Sequence, residues 1–287
     1  MILIADSGAT KTDWGFCGKN IFKDGSDSMT VQSEGINAST MHPGDILRII
    51  RSVSDQTGEE VAGQVSEIHF YGAGIVSEQS AIALRAAMLD VFPNAYVLEF
   101  SSDLAGAAKA LFGNGTGVAA ILGTGSNSCL FENGMITRNI RSGGFILGDE
   151  GGGAALGRML LADYFKELVP EDFAADFENE FHITYPAAVA EIYKGDTPSR
   201  YLASFAKFVI EHREHGYAAS LIEKNLRDFI ERSLDRYGCR EVGVIGSLGC
   251  ACREELIRLG HEYGLEFVRF LPSPIESLIA FHSGQSI

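Results

Sequence analysis

The chain has 287 residues, of which 46% are hydrophobic, and a formal net charge of −15 at pH 7. This length suits two domains of ordinary size, each with its own apolar core. The negative charge, which no basic cluster offsets, excludes a nucleic-acid backbone as the partner, and no apolar run approaches the roughly 20 residues of a membrane span. An anionic ligand would therefore need local hydrogen-bond donors or a metal ion.

The N-terminus and the cysteines indicate a cytoplasmic protein. Residues Ile2 to Ile4 run almost directly into Asp6, without the basic region that opens a signal peptide. The five cysteines are an odd number with no apparent disulfide framework, which favours a reducing compartment. We therefore expect a protein that contacts neither nucleic acid nor a membrane, and we leave a homodimer open.

The elements follow the same plan in each half of the chain. In the first half, strands are predicted near 1–6, 12–18, 28–34, 65–71 and 95–100, and helices near 44–57, 77–92 and 102–112. In the second half, the pattern predicts strands near 117–122, 127–132 and 135–140, and then a helical stretch over 152–238 that includes helices at 201–211 and 218–237. Strand 241–246, helix 252–263, strand 266–270 and helix 274–283 follow. The glycine-rich joint at 112–117 divides a domain 1–112 from a domain 113–287. Three consecutive strands followed by alternating helices and strands imply an α/β fold with a mixed sheet covered on both faces.

Each half also opens with the same motif. Residues 1–16 and 118–130 both consist of an apolar run, a tight turn of Gly, Thr and Ser, and a second apolar run. This pattern is typical of a buried strand, a hairpin turn and its partner strand. Glycine lets the backbone approach a ligand closely, and hydroxyl and backbone N–H groups donate to phosphate oxygens. The two turns therefore suggest a polyphosphate site between two domains.

The first turn follows Asp6, and Gly8 to Thr12 form its phosphate-facing part. Asp6 ends a strand, where a carboxylate can hold a hydrated metal ion beside phosphates. An ordinary hairpin with a polar tip explains this motif equally well. In the second turn, Gly123-Thr124-Gly125 alone is weak evidence, but its match to the first turn strengthens it.

Asp103 follows a strand that ends at Phe100, and Ser101 or Ser102 can cap the helix that begins there. A carboxylate in the first helical turn at the end of a strand can face a ligand. The commoner role of such an acid is to compensate the helix dipole, and the sequence leaves both roles open.

Two further glycine-rich segments lie in the second half. In 141–153, glycines surround Asp149 and Glu150, which favours a backbone-lined pocket whose carboxylates accept hydrogen bonds from hydroxyls; a flexible surface loop fits less well because Phe145 to Leu147 lie inside it. In 244–249, a strand runs into a glycine turn and a helix, which suits the close approach of a base or a phosphate, although a plain turn is as good an explanation.

Taken together, these motifs resemble the actin/hexokinase/Hsp70 superfamily of ATP-binding folds. Within it, the order and spacing of the motifs are most similar to the N-acetylglucosamine kinase family and the related BadF-BadG-type activator ATPases. The resemblance covers most of the chain and is weakest across 155–240. It implies two RNase H-like domains with a cleft between them and a helical insertion in the second.

The resemblance also assigns roles to individual residues. Asp103 matches the catalytic base, and Asp6 would lie near Mg²⁺, which it would hold through water. The ATP and its phosphates would be bound by Asp6, Gly8, Thr10, Lys11, Thr12, Gly123, Thr124, Gly125, Gly246 and Ser247. The sugar would be bound by Asn37, Ser126, Asn127, Gly143, Gly144, Asp149 and Glu150.

Two departures from the family pattern matter. The last predicted helix begins with Pro274 and carries Glu276 and Ser277 where the family often has Gly-Ala, which puts an adenosine contact there in doubt. The aromatic residue that the family often has beside the sugar-pocket glycines is a phenylalanine here, Phe145, and this choice of aromatic residue can alter the sugar preference.

The sequence predicts an ATP- and Mg²⁺-dependent sugar kinase that phosphorylates N-acetylglucosamine at its 6-hydroxyl. One alternative is an activator ATPase that couples hydrolysis to electron transfer, but none of the five cysteines lies in a motif that matches its iron–sulfur site. The other is a non-catalytic nucleotide- or sugar-binding regulator, against which Asp6 and Asp103 weigh.

Overall fold

A computed structural model describes residues 1–8, 10–18, 26–75 and 77–285. The chain divides into two compact units: unit 1 comprises Met1–Gly115, Asn133–Met135 and Ser273–Ile287, and unit 2 comprises Thr116–Glu132 and Ile136–Pro272. The division near residue 115 lies close to the predicted joint at 112–117. The C-terminal segment, however, groups with unit 1, whereas the sequence analysis placed it in the second domain.

The first unit is built on a five-stranded mixed sheet. Its strands are β1 (Ile2–Ser7), β2 (Lys11–Cys17), β3 (Ser28–Glu34), β4 (Glu67–Gly72) and β5 (Val97–Ser102), in the order β3-β2-β1-β4-β5. The three N-terminal strands pair antiparallel, while β4 and β5 run parallel to β1. Because β1, β4 and β5 run parallel, their carboxyl ends meet at one edge of the sheet.

Short helices cover this sheet. They are α1 (Pro43–Thr57), α2 (Glu59–Gln64), α3 (Ile82–Val91), α4 (Asp103–Phe112) and the last helix of the chain, α14 (Ile275–His282), with a 3₁₀ turn at Gln79–Ala81. His42 caps the N-terminus of α1, since its Nδ1 accepts from the Gly44 N–H at 3.1 Å. Pro43 occupies the first helical position. Its apolar residues recur at helical spacing and are buried, namely Ile46, Ile49, Ile50 and Val53.

The packing of α14 explains why the C-terminal segment belongs to unit 1. Its residues Ile275, Leu278 and Ile279 are buried. A Cβ built at Gly15 of β2 would come within 2.6 Å of the Ile279 side chain, so glycine makes room for the helix. This contact joins residues more than 250 positions apart, and no local sequence pattern reports it.

The second unit repeats the sheet of the first. Its strands are β6 (Gly117–Leu122), β7 (Ser126–Glu132), β8 (Met135–Ile140), β9 (Glu241–Ile245) and β10 (Glu266–Leu271), in the order β10-β9-β6-β7-β8. The β6 and β7 strands are antiparallel, and β9 and β10 run parallel to β6. The order is that of the first sheet, which confirms the predicted repeat and the α/β fold class.

The long helical stretch is a set of shorter helices packed around a common core. Unit 2 contains α5 (Gly144–Leu147), α6 (Gly153–Tyr164), α7 (Glu171–Phe181), α8 (Tyr185–Lys194), α9 (Pro198–Ala203), α10 (Ala206–Glu211), α11 (Gly216–Arg232), α12 (Ser247–Ala251) and α13 (Arg253–Glu262), and a 3₁₀ turn at Leu234–Tyr237. Phe173 and Phe177 each pack edge to face against Phe208, with ring centroids 5.1 and 5.4 Å apart, respectively. Within the described ranges, no helix combines the length and the apolarity needed to cross a membrane.

Candidate active site

The carboxyl edge of the first sheet carries a partly buried aspartate, Asp6, in a negative environment. Asp6 on β1 lies directly opposite Asp13 on β2 and Tyr71 on β4. Burial, followed by the charges of Asp103 and Asp13, raises the pKa of the Asp6 carboxyl to about 7, although Lys11 opposes this shift. A cation beside Asp6 would relieve this accumulation of negative charge.

The donor set around Asp6 fits Mg²⁺ that is bound mainly by water and phosphate. Mg²⁺ usually takes one or two carboxylates together with waters and substrate phosphates, and not a complete protein cage. In the part of the chain that the structure describes, no group of three or more His, Cys, Asp or Glu side chains is placed to hold a metal ion. Asp6 is thus the side chain that would hold the ion, and a nucleotide would complete its shell.

Asp103 occupies the first position of α4, one residue after β5 ends. Ser102 caps the helix, since its Oγ accepts from the Ala105 N–H at 3.2 Å. Asp103 Oδ1 accepts from the Leu104 N–H at 2.8 Å. Burial raises the pKa of the Asp103 carboxyl, while the Leu104 N–H opposes the shift. No ion pair joins it to another described residue, so its remaining acceptor capacity is open to a proton from a ligand.

The first glycine turn is anchored by hydroxyls that bond within the protein. The Gly8 N–H donates to the Lys11 carbonyl at 3.0 Å, while Ala9 lies outside the described residues. Ser7 Oγ and Thr12 Oγ1 are buried and 2.8 Å apart, and Thr12 Oγ1 donates to the Glu34 carbonyl at 3.1 Å. The hydroxyl of Thr12 therefore fixes the turn against β3, although it was predicted to face phosphate.

The cation of this turn is held by a residue that the sequence analysis did not single out. The Lys11 ammonium lies 3.0 Å from Asp13 Oδ2. Asp13 is buried and also accepts from Gln32 Nε2 at 2.6 Å and from Ser273 Oγ at 3.0 Å. The local signal was a carboxylate inside an apolar strand, which requires partners when buried. Thr10, by contrast, is exposed, and its carbonyl accepts from the Gly35 N–H at 3.1 Å.

Asn37, the predicted sugar ligand of unit 1, lies in the turn after β3. Its Oδ1 accepts from the Ser39 N–H at 3.0 Å, and its carbonyl accepts from the Met41 N–H at 3.1 Å. The neighbouring Ala38 N–H donates to the Ala73 carbonyl at 3.2 Å. The turn is thereby fixed beside the segment that follows β4.

The second glycine turn receives hydrogen bonds from the start of a helix. The Gly153 and Ala154 N–H groups of α6 donate to the carbonyls of Gly123 and Thr124, each at 2.8 Å. Gly123 donates through its N–H to the Gly125 carbonyl at 3.0 Å. These bonds hold the turn rigidly and join it to α6.

Each of the two turns contains a glycine, Gly8 or Gly123, that the fold itself does not require. Within the described ranges of the chain, a Cβ built at Gly123 would meet no atom within 4 Å, and one at Gly8 would meet only the Lys11 carbonyl oxygen at 3.8 Å. Neither glycine adopts the left-handed conformation that other residues avoid. The open side of each is space that a ligand can use, whereas Gly125 has the Asp149 carboxylate against it.

The acidic segment after β8 is held together by internal hydrogen bonds. Asp149 is buried and has a positive φ of 54°; its backbone N–H donates to the Ser142 carbonyl at 3.0 Å. Burial raises the pKa of the Asp149 carboxyl, and hydrogen bonds from the Ser142 side chain and the Ser126 backbone oppose this shift. Asn127 Oδ1 accepts from Asn139 Nδ2 at 3.1 Å. Asp149 and Asn127 are thus partly satisfied within the unit.

The other predicted sugar ligands of this segment differ in exposure. Gly143 and Gly144 are exposed and have positive φ values of 79° and 69°, which only glycine adopts readily. Glu150 forms an ion pair with Arg232, with Oε1 2.7 Å from the Arg232 nitrogen. One oxygen of Glu150 is therefore already engaged by α11.

A pocket of about 470 Å³ in unit 2 adjoins the second turn. It brings the predicted Gly123, Thr124 and Ser247 together. The rest of its wall comes from Gly153, Ala203, Ala206, Lys207, Ile210, Glu211, Leu248 and Ala251. Gly246, with a φ of 117°, lies beside this wall, where a Cβ would strike the Leu122 carbonyl. Small and apolar residues with a few polar groups suit a flat heterocycle and a ribose. The sequence predicted a helix over 201–211, but the residues of α9 and α10 were not assigned to this pocket, because the sequence pattern does not show what a helix packs against.

Comparison with known proteins shows the family to which the chain belongs. The chain matches no protein-family model and no curated protein sequence. The solved structure of a proposed N-acetylglucosamine kinase from Porphyromonas gingivalis is 35% identical, with each chain covered over 100% of its length and a TM-score of 0.92. A second proposed N-acetylglucosamine kinase, from Chromobacterium violaceum, is 18% identical over 98% of both chains, with a TM-score of 0.75. A ROK family glucokinase from Streptomyces griseus, in complex with glucose and AMPPNP, is 14% identical over 99% of both chains, with a TM-score of 0.54, and shares the fold.

The paired sheets and their glycine turns define an actin-like ATPase fold of the sugar kinase type. Given 35% identity over the full length of its relative, the chain belongs to the N-acetylglucosamine kinase and BadF-BadG-type ATPase family of the actin/hexokinase/Hsp70 superfamily.

Proposed function

We propose that this protein is an ATP- and Mg²⁺-dependent kinase that phosphorylates N-acetylglucosamine at its 6-hydroxyl. The observation that carries the proposal is Asp103, a partly buried carboxylate whose pKa burial raises and whose charge acts on Asp6. The identity of 35% to a protein named as a proposed N-acetylglucosamine kinase supports the choice of sugar.

In this proposal Asp103 is the general base. As the 6-hydroxyl oxygen of the sugar bonds to the γ-phosphorus, the bond from that phosphorus to the β,γ-bridging oxygen breaks and ADP leaves with the electron pair. The proton of the hydroxyl passes to a carboxylate oxygen of Asp103. A base acts best when its pKa lies near the working pH, so a carboxyl whose pKa is raised by burial is better suited than an exposed one. The Leu104 N–H, which donates to Asp103 Oδ1, fixes the orientation of the group.

Asp6 and Lys11 account for the charge of the nucleotide. Mg²⁺ held through water by Asp6 would neutralise charge that develops on the phosphates. Lys11, poised at the turn by Asp13, adds a cation on the protein side. The net charge of −15 makes these local cations necessary, because the surrounding protein field repels an anion.

The pocket beside Gly123 and Ser247 supports the assignment of the adenosine to unit 2. The sugar ligands predicted in unit 2 are Ser126, Asn127, Gly143, Gly144, Asp149 and Glu150, and Asn37 belongs to unit 1. An acetamido group carries one carbonyl and one N–H, which backbone groups of glycine and an amide side chain can both pair.

A panel of hexoses in an ADP-release assay tests the proposal. We expect the specificity constant for N-acetylglucosamine to exceed that for glucose by at least about tenfold, because a site that pairs an acetamido group loses hydrogen bonds with glucose. Equal use of both sugars would contradict the sugar assignment and leave the kinase assignment standing. ADP release that is independent of every sugar would instead favour an activator ATPase.

A further inference from the structure

The side chain of Asn37 is held in one orientation by its own turn. The group that faces the Ser39 N–H must be an acceptor, so it is the amide oxygen Oδ1, at 3.0 Å. The Asn37 carbonyl accepts from the N–H groups of Thr40 and Met41, at 3.4 and 3.1 Å. The backbone and the side chain of Asn37 are therefore both fixed by residues 39–41.

Ser39 also ties this turn to the segment after β4. Its Oγ donates a short hydrogen bond to the Gly74 carbonyl, and the adjacent Ala38 N–H donates to the Ala73 carbonyl at 3.2 Å. Two hydrogen bonds thus join residues 38–39 to residues 73–74. The Ser39 N–H that holds Asn37 is part of the same bonded pair of segments.

Gly74 makes this arrangement sterically feasible. It has a φ of 80°, and a Cβ built there would lie 2.8 Å from the Ser39 nitrogen and would overlap Asn37 Oδ1. A side chain at position 74 would therefore displace the Asn37 amide as well as strain the backbone.

The hydrogen bond from the Ser39 N–H to Asn37 Oδ1, together with the bond that joins Ser39 to Gly74, is called the lock. The lock decides which hydrogen-bonding groups of Asn37 remain for a ligand. An asparagine amide has one acceptor oxygen and two N–H donors. The oxygen is engaged by Ser39, while Nδ2 donates to no acceptor in the described ranges of the chain. The sequence alone left Asn37 able both to donate and to accept; the structure leaves it chiefly a donor.

We propose that Ser39 and Gly74 are positioning residues that lock Asn37 as a hydrogen-bond donor to an acceptor oxygen of the sugar. The inference rests on the proposed function, because it names the sugar as the ligand of Asn37. It adds that the ligand atom is a hydroxyl or carbonyl oxygen and that substrate affinity depends on residues that do not touch the substrate.

The test compares Ser39→Ala with two matched variants. Ser39→Thr keeps the hydroxyl, and Thr40→Ala removes a neighbouring exposed hydroxyl that has no hydrogen-bond partner among the described residues. Ser39→Ala keeps the N–H that holds Asn37 and removes the hydroxyl that ties Ser39 to Gly74. We expect it to raise KM for N-acetylglucosamine by up to about fivefold, the size of one net hydrogen bond, with KM for ATP unchanged and the melting temperature lowered by about 2–4 °C at most. Ser39→Thr and Thr40→Ala should retain the wild-type KM for the sugar.

Two further variants separate positioning from a general structural role. Ser39→Ala should add nothing to the effect of Asn37→Ala, because Ser39 acts only through Asn37. Asn37→Asp keeps an oxygen for the Ser39 N–H but removes both donors, so it should raise KM for the sugar at least as much as Asn37→Ala. Additive effects of Ser39→Ala and Asn37→Ala, a parallel rise in KM for ATP, or wild-type sugar affinity in Asn37→Asp would overturn the inference.

Calorimetric titration with N-acetylglucosamine in the absence of ATP distinguishes this inference from the proposed function. Sugar binding that Ser39→Ala weakens, without phosphorylation by the wild type, would refute the kinase and support the lock. Phosphorylation with an unchanged KM in Ser39→Ala would refute the lock and leave the kinase standing. If no sugar binds to the wild type, both fail.

Discussion

At the scale of single residues, three aspartates of the first unit have different tasks because their partners differ. Asp13 is buried but accepts from Lys11, Gln32 and Ser273, so its charge is compensated. Among the described residues, no side chain donates a hydrogen bond to Asp6 or Asp103, and burial raises the pKa of each carboxyl. Asp13 therefore positions the Lys11 ammonium, whereas Asp6 is suited to bind a metal ion and Asp103 to accept a proton.

Replacing Asp103 with asparagine tests its assignment as base. Asparagine keeps an oxygen for the Leu104 N–H but cannot accept a proton from the sugar. We expect the turnover number to fall by about two to four orders of magnitude, with the affinity for nucleotide unchanged. Steady-state kinetics and nucleotide titration measure both quantities, and near-normal turnover would reduce Asp103 to a helix-capping residue.

The same residue predicts how activity depends on pH. The carboxyl must be ionised to accept a proton, so kcat should rise with pH through the raised pKa of Asp103 and then level off. Below that pKa, kcat should fall about tenfold for each pH unit. An acid limb absent down to the ordinary carboxyl pKa of 3.8 would contradict the assignment.

The raised pKa of Asp103 also has a consequence for stability. A carboxyl whose pKa is higher in the folded state contributes stability below its unfolded pKa, and this contribution is lost as pH rises through the folded pKa. Asp103→Asn should therefore be more stable than the wild type above the folded pKa, and the difference should shrink towards pH 4. Melting temperatures across this range measure the difference, and a constant or reversed difference would contradict the burial argument.

The position of Asp103 after a strand end was predictable from the sequence, because a strand, a capping serine and an acid follow one another locally. The partners of Asp13 were not predictable. Its hydrogen bond from Ser273 joins residues 260 positions apart, and nothing in the local sequence around either residue indicates the other.

At the scale of elements, the two glycine turns join antiparallel strands in both units and present an open backbone. Their strands were predictable because each is a short apolar run bounded by turn residues. The helix α5 was not predicted, because Gly143 and Gly144 suggested a loop and four residues give too little periodicity to show a helix. Between Gly153 and Arg232, the sequence predicted separate helices only at 201–211 and 218–237, since the ends of the other helices depend on packing against each other.

Alanine substitutions at Gly8 and Gly123 test whether the open side of each turn holds phosphate. Because a Cβ at either position comes close to no atom of the residues that the structure describes, both variants should fold normally. We expect nucleotide affinity to fall at least about tenfold, since one methyl group occupies the approach of the ligand. Gly63→Ala and Gly216→Ala, where a Cβ is equally unobstructed, are the controls and should bind nucleotide normally. Unchanged affinity in Gly8→Ala and Gly123→Ala would place the nucleotide elsewhere.

The pocket beside α10 and α12 makes a second prediction for the elements. Ala251 is exposed and lines this pocket, so Ala251→Phe would fill it without disturbing the core. We expect KM for ATP to rise about tenfold while KM for the sugar stays constant. Ala219→Phe places the same ring on the exposed surface of α11 and serves as the control. A normal KM for ATP in Ala251→Phe would remove the pocket from the nucleotide site.

At the scale of the whole molecule, the chain has two units with the same sheet order but different candidate functional residues. Unit 1 carries Asp6, Asp103 and Asn37, while unit 2 carries the pocket at Gly123 and the Asp149 segment. The repeat was visible in the sequence because both copies open with a strand, a turn and a strand. The return of α14 to unit 1 was not visible, because it depends on the fit of Ile279 over Gly15.

The central claim, transfer of phosphate from ATP to a sugar, is tested most directly by phosphorus NMR of the reaction. With ATP, Mg²⁺ and N-acetylglucosamine, the wild type should convert the γ-phosphate signal into that of a sugar 6-phosphate, and Asp103→Asn should not. Accumulation of inorganic phosphate without a sugar phosphate, at the same rate with and without the sugar, would contradict the account.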